Sequence, residues 1–122
     1  MRVLICGSRY YNDINEIEKQ FSEFKFDKST TIITGGAKGV DDLAHKTALK
    51  LGLKTEVYKA DWNKYGKRAG PIRNKEMLLK GKPDFVIAIH ENYKNSLGTK
   101  NMVEIARKNN VFVIIIELKI NV

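Results

Sequence analysis

Residues 32–44 read IITGGAKGVDDLA, and this stretch decides the fold. Two β-branched residues and a threonine lead into Gly35, Gly36, Ala37, Lys38 and Gly39. Val40, Leu43, Ala44, Ala48 and Leu51 then recur at helical spacing, with Gly52 as a stop signal. A strand, a glycine-rich loop and a helix in that order make the first half of a parallel crossover. The glycines either make a plain tight turn or let the backbone approach something that side chains would hold away.

Outward from this unit the same alternation repeats. Residues 2–6 (RVLIC) read as a strand ending at Gly7, and Ile14, Ile17, Phe21 and Phe24 follow at helical spacing. Asp13 and Glu16 form a capping box for that helix. The second strand is 30–34, and a weaker third strand is 55–58. A loop, ADWNKYGKRAG, precedes a third helix that Pro71 opens and that ends near Gly81. A fourth strand at 85–89, a loop NYKNSLGT, a helix marked by Met102, Ile105 and Ala106, and a fifth strand at 111–116 complete the chain. The strongest strands are apolar on both faces, the mark of a parallel sheet covered by helices on each side. The expectation is one α/β domain over 1–122, a three-layer, Rossmann-like, doubly wound sheet of about five parallel strands.

Composition narrows the partners. The formal net charge is +8, and residues 59–82 carry Lys59, Lys64, Lys67, Arg68, Arg73, Lys75, Lys80 and Lys82 against Asp61 and Glu76 alone. Such an excess favours anions, either phosphorylated small molecules or nucleic acid, although a solvated lysine-rich surface would look the same. The longest apolar run is far too short to span a bilayer, and the N-terminus lacks a signal-peptide pattern, so no membrane partner is expected. The single cysteine, Cys6, reads as a small buried hydrophobe and makes a reducing cytoplasm the default location. His45 and His90 lack companions at ligand spacing, so no metal is expected, and no cofactor either.

In an open parallel sheet, ligands bind beyond the carboxyl ends of the strands, near the point where strand order reverses. The loops to read are therefore 7–9, 35–39, 60–70 and 92–99. GGAKG matches neither the GxxxxGK[ST] phosphate loop nor the GxGxxG dinucleotide fingerprint. Gly7-Ser8-Arg9 and Gly98-Thr99 are further glycine loops that follow strands, and three of them at one sheet edge suggest phosphate contacts. Asp41 and Asp42 in a first helical turn complement the helix dipole, while the functional reading has Asp41 accepting from ribose hydroxyls or orienting water. Arg73 and Asn74 are expected in the first turn of the third helix, where an arginine opposes the dipole unless an anion occupies the site. Trp62, with Tyr65 nearby, would stack on a nucleobase or plug the core edge.

Together MRVLICGSR, TGGAKGVDDLA, ADWNKYGKRAGPIRNKEM, PDFVIAI and the GT-containing loop resemble the YspA-type branch of the SLOG superfamily, relatives of the LOG phosphoribohydrolases and of the DNA-processing protein Smf. The resemblance implies strand-end loops that bind nucleotides or nucleotide-derived ligands, in bacteria and their phages. It implies that Gly7, Ser8, Arg9, Gly35, Gly36, Gly39, Asp41, Arg73, Asn74, Gly98 and Thr99 line the site, and Ala37 and Lys38 of the same loop join them as phosphate-binding candidates. The LOG enzymes carry PGGxGTxxE in the last loop, whereas NSLGTKNMVE puts Met102 at the glutamate position. The nearest acid, Glu104, lies two residues on, about 200° round a helix. The leading expectation is therefore binding of a nucleotide or nucleotide-derived ligand, as a sensor or as a processing enzyme with Asp41 or Glu76 as acid and base. The alternatives are hydrolysis of nucleoside 5′-monophosphates at the N-glycosidic bond and, ranked last, single-stranded nucleic-acid binding. A homodimer is expected from symmetry base rates and from the related families.

Overall fold

Odd and even residues of the first strand go to different layers, as the two-residue period of a strand requires. Val3 and Ile5 pack among Ile17, Phe21, Val40, Ala44 and Ala48, whereas Leu4 and Cys6 pack among Met77, Leu78, Met102, Val103 and Ala106. The strand is apolar throughout because both of its faces are covered. Full burial of each such leucine or isoleucine contributes about 1.5–3 kcal/mol. Burial pushes the pKa of the Cys6 thiol up, so it serves as a core hydrophobe.

The computed structural model describes residues 1–118. The strands are β1 (Arg2–Gly7), β2 (Thr31–Thr34), β3 (Lys54–Val57), β4 (Phe85–His90) and β5 (Phe112–Glu117). The helices are α1 (Ile14–Phe24), α2 (Val40–Lys50), α3 (Trp62–Tyr65), α4 (Ala69–Gly81) and α5 (Gly98–Lys108). All strand pairings are parallel, in the order β3-β2-β1-β4-β5, so strand order reverses between β1 and β4. Helices α1 and α2 pair over one face and α4 and α5 over the other, giving the expected three layers. Asp13 caps α1 as the sequence predicts, its Oδ1 accepting from the amides of Asn15 and Glu16.

Three local differences from the sequence reading have physical causes. The loop ADWNKYGKRAG contains α3, a single turn capped by the Asp61 carboxylate at the Lys64 amide, and a 3-10 turn over Gly66–Arg68. Consequently α4 starts at Ala69, which moves Arg73 and Asn74 from the first turn to the second. Finally β5, read as a covered strand, stands at the sheet edge with Phe112 68% exposed, because an apolar run cannot signal how many neighbours its strand will have. No helix among the described residues is long and apolar enough to cross a membrane.

Candidate functional site

The carboxyl ends of β1, β2 and β3 surround a cavity of about 250 Å³. Its lining is Arg9 from the loop after β1, Gly35, Gly36 and Ala37 after β2, Lys59, Ala60 and Trp62 after β3, and Arg73 from α4. A larger hollow of about 300 Å³ lies between α1 and α2, but Phe21, Phe26 and Leu51 contribute to its walls and its lysines and glutamate reach outward. The smaller cavity brings polar groups from four chain segments to one point at the end of the sheet where ligands of such folds bind, which makes it the candidate site.

The glycine loop is held from beneath. Asp41 is 5% exposed, and its Oδ2 accepts from the amides of Gly35 at 3.1 Å and Ala37 at 3.3 Å. Its carboxylate is thus turned under the loop, bracing the backbone from below. Burial pushes the pKa of this carboxyl up to about 6, opposed by the Ala37 and Gly35 amides and by the charges of Arg73 and Arg9. Gly39, at φ +77, completes the turn, and a Cβ there would drive into the backbone of Ser8 and Arg9. The Val40 amide donates to the Ser8 carbonyl at 2.9 Å, so the loops after β1 and β2 are locked together.

Arg73 grips the same loop from the other side. Its Nη1 donates to the Gly35 carbonyl and its Nε to Asn74 Oδ1 at 2.9 Å, leaving Nη2 without a hydrogen-bond partner among the described residues. A Cβ at Gly35 would overlap the guanidinium, so any larger residue there would push Arg73 out of this position. Partial burial lowers the pKa of Arg73, and Asp41 raises it in turn. Asn74 is 3% exposed, and its amide donates to the Gly98 carbonyl at 3.3 Å and to Asn101 Oδ1 at 3.0 Å. One chain of hydrogen bonds therefore ties the β2 loop through α4 to the start of α5.

The cavity thus gathers Arg9, Gly35, Gly36, Ala37, Arg73 and Trp62 from the sequence-predicted set. Asp41 and Asn74 support it from behind, and Gly7 and Ser8 lie below it at the end of β1. Lys38 is exposed in the glycine loop, and Gly98 and Thr99 open α5. Tyr65 stands outside the lining, with Lys64 Nζ 5.1 Å from its ring centre. Glu76 points to an exposed face and pairs with Lys80 at 3.5 Å. Met102 is fully buried in the core, while Glu104 is exposed on α5. The sequence reading missed Lys59 as a wall of the cavity and Glu91, which receives the Ser8 hydroxyl at 2.9 Å. Both immediately follow or closely follow a strand, the position from which they could have been found.

The N-caps of α2, α4 and α5 are Gly39, Arg68 and Leu97, none of which supplies a side-chain cap. Beside α5 only Ser96 Oγ takes an amide, that of Lys100 at 3.1 Å. The first amide of α2 is taken by the Ser8 carbonyl and that of α4 by the Gly66 carbonyl, so convergent cations beside a glycine loop, not open helix starts, are what make this cavity a candidate anion site.

Parallel strands in this order, with helices on both faces, define a Rossmann-like α/β protein. More narrowly, the YspA, cpYpsA-related SLOG family (YAcAr) matches residues 1–65, and the chain belongs to that family. The Gene 61 protein of Mycobacterium phage D29 is 32% identical over 120 residues, covering 93% of this chain and 94% of that protein. The X-ray structure of DNA processing protein A (DprA) from Streptococcus pneumoniae superposes with a TM-score of 0.77 at 23% identity. That alignment covers 98% of this chain and 51% of the other, so the chain spans about half of that protein; the likeness is one of fold.

Proposed function

We propose that the chain binds a nucleotide or nucleotide-derived ligand, with a phosphate group in the cavity at the ends of β1, β2 and β3. The observation that carries this reading is the lining: Arg9, Lys59 and Arg73 converge there, and none of them makes an ion pair among the described residues. Asp41 beneath the loop offsets part of the charge of Arg9 and Arg73, but one buried acid against three cations leaves a repulsion that an anion in the cavity would relieve. The free Nη2 edge of Arg73 suits a phosphate oxygen. Trp62, 51% exposed at the cavity wall, offers a flat apolar face to a nucleobase. Asp41 contributes by holding, through the Gly35 and Ala37 amides, the loop that forms one wall of the cavity. The buried Met102 and the outward-facing Glu76 leave those two positions without a carboxylate in the cavity, which favours binding over glycosidic cleavage from them.

Calorimetric titration with nucleoside mono- and diphosphates tests the proposal, with short oligonucleotides as a second arm. At least one mononucleotide should bind, and Arg73→Ala should weaken it about tenfold to a hundredfold, the worth of one hydrogen-bonded charge contact. Arg73→Lys should restore little, because a single ammonium cannot hold Gly35 and the anion at once. Absence of binding by every mononucleotide, or unchanged affinity in Arg73→Ala, overturns the reading.

A further inference from the structure

The carboxyl end of the sheet holds two carboxylates that neither the cavity nor the loop brace employs, Glu117 on the edge strand β5 and Glu91 just after the more central β4. Glu91 is the first residue after β4, at the reversal of strand order between β1 and β4. The other acids nearby are already engaged: Asp41 holds two amides, Asp42 pairs with Lys46 at 2.9 Å, and Asp61 caps α3. Glu91 differs in having one oxygen oriented and one free. Its Oε1 accepts from Ser8 Oγ at 2.9 Å. Its Oε2 has no hydrogen-bond donor among the described residues, since the nearest side-chain nitrogen, His90 Nδ1, is 3.9 Å away and itself accepts the Asn92 amide at 2.7 Å.

The group that orients Glu91 is unusually fixed. Ser8 is 1% exposed, its amide donates to the Ile89 carbonyl at 3.0 Å, its carbonyl accepts from Val40, and its hydroxyl oxygen accepts from the Tyr10 amide at 3.3 Å. With that acceptor role taken, its hydroxyl proton goes to Glu91. Ser8 is also bonded through one peptide to Arg9, a wall of the cavity. The loop after β1 thus supplies both a wall of the cavity, through Arg9, and the hydroxyl that holds the carboxylate, through Ser8. A bare carboxylate beside a phosphate site repels more negative charge and seeks neutral donors, and sugar hydroxyls are the neutral donors nearest to a nucleotide's phosphate.

We infer that Glu91, held by Ser8, accepts the ribose hydroxyls of the ligand and selects ribose over deoxygenated sugar. This rests on the nucleotide-binding reading and adds the group that recognises the sugar. The test titrates the four ribonucleoside 5′-monophosphates and their 2′,3′-dideoxy counterparts into the native chain, Glu91→Gln and Ser8→Ala. The native chain should prefer the ribose form by about tenfold or more, as expected for hydrogen bonds to a charged acceptor. Glu91→Gln should lose most of that preference, while its affinity for the dideoxy form should hold or rise because a negative charge near the phosphate is gone. Ser8→Ala, which leaves the carboxylate but frees its orientation, should lose part of it. A native preference that survives intact in Glu91→Gln overturns the inference and leaves the nucleotide site standing. Equal binding of ribose and dideoxy forms by the native chain does the same, and absence of binding by any of them overturns both.

Discussion

At the amino end of the sheet Arg2 reaches three acceptors, while at the carboxyl end Arg9, Lys38, Lys59 and Arg73 reach no carboxylate in an ion pair among the described residues. Arg2 Nη2 meets Glu56 Oε1 at 2.6 Å, its Nε meets the Gly81 carbonyl at 2.6 Å, and its amide meets Asp84 Oδ2 at 2.7 Å. Tyr58 also donates to Glu56, and the hydrogen bond from Arg2 holds the Glu56 pKa down. The amino end satisfies itself. The carboxyl end leaves cations and a carboxylate oxygen open, and it covers its only deeply buried acid with a glycine loop. That asymmetry supports the proposed site at the carboxyl end.

The largest effect should come from wedging the open end at its hinge. Gly39→Ala places a Cβ against the backbone of Ser8 and Arg9 at φ +77, where neither partner is a flexible side chain that can step aside. The expected loss is about 3 kcal/mol or more, read as a fall in urea midpoint at unchanged slope. An unchanged midpoint would mean that the loops after β1 and β2 are not locked together.

Next comes the pH dependence of the brace. Asp41 has a folded-state pKa of about 6 against an ordinary 3.8, so the folded chain holds this proton more tightly than the unfolded one. Its stabilising contribution is fully present below about pH 4, falls as pH rises toward 6, and is flat above, a total of about 3 kcal/mol. Asp41→Asn removes that slope, so its stability relative to the native chain should improve between pH 4 and pH 7. Denaturation at a series of pH values reads the difference, and parallel curves for the two proteins would contradict it. At the amino end, by contrast, Arg2→Met should cost only about 1 kcal/mol, since the Arg2 and Glu56 side chains are 34% and 37% exposed, and it should leave nucleotide affinity untouched.

The same contrast explains what the sequence could reveal. Apolar runs such as 2–6 and 85–89, alternating with helical periods, were enough for a doubly wound sheet, because covered parallel strands have few other ways to look. Asp41 was legible as a notable acid, but spacing could not tell a carboxylate facing a ligand from one turned back on its own loop. Glu91 was invisible for a different reason: its partner Ser8 lies 83 residues earlier, and only the pairing of β1 with β4 brings them together. The short helix α3 escaped because one turn has no period to detect. Local chemistry was readable, and what depended on strand order was not.

Gly98 gives the smallest expected change in stability and the sharpest division between the two kinds of glycine. A Cβ at Gly39 meets backbone, whereas a Cβ at Gly98 meets nothing within 4 Å. Gly98 opens α5, where alanine is the better helix former, so Gly98→Ala should leave stability unchanged or raise it by up to about 1 kcal/mol. Neither space nor backbone conformation in the free protein then accounts for glycine at this position. If the uncapped start of α5 receives part of the ligand, the added methyl occupies that approach, and nucleotide affinity should fall while the melting temperature holds or rises. If affinity and stability are both unchanged, the open helix start lies outside the site, and the ligand is confined to the cavity walled by Arg9, Lys59 and Arg73.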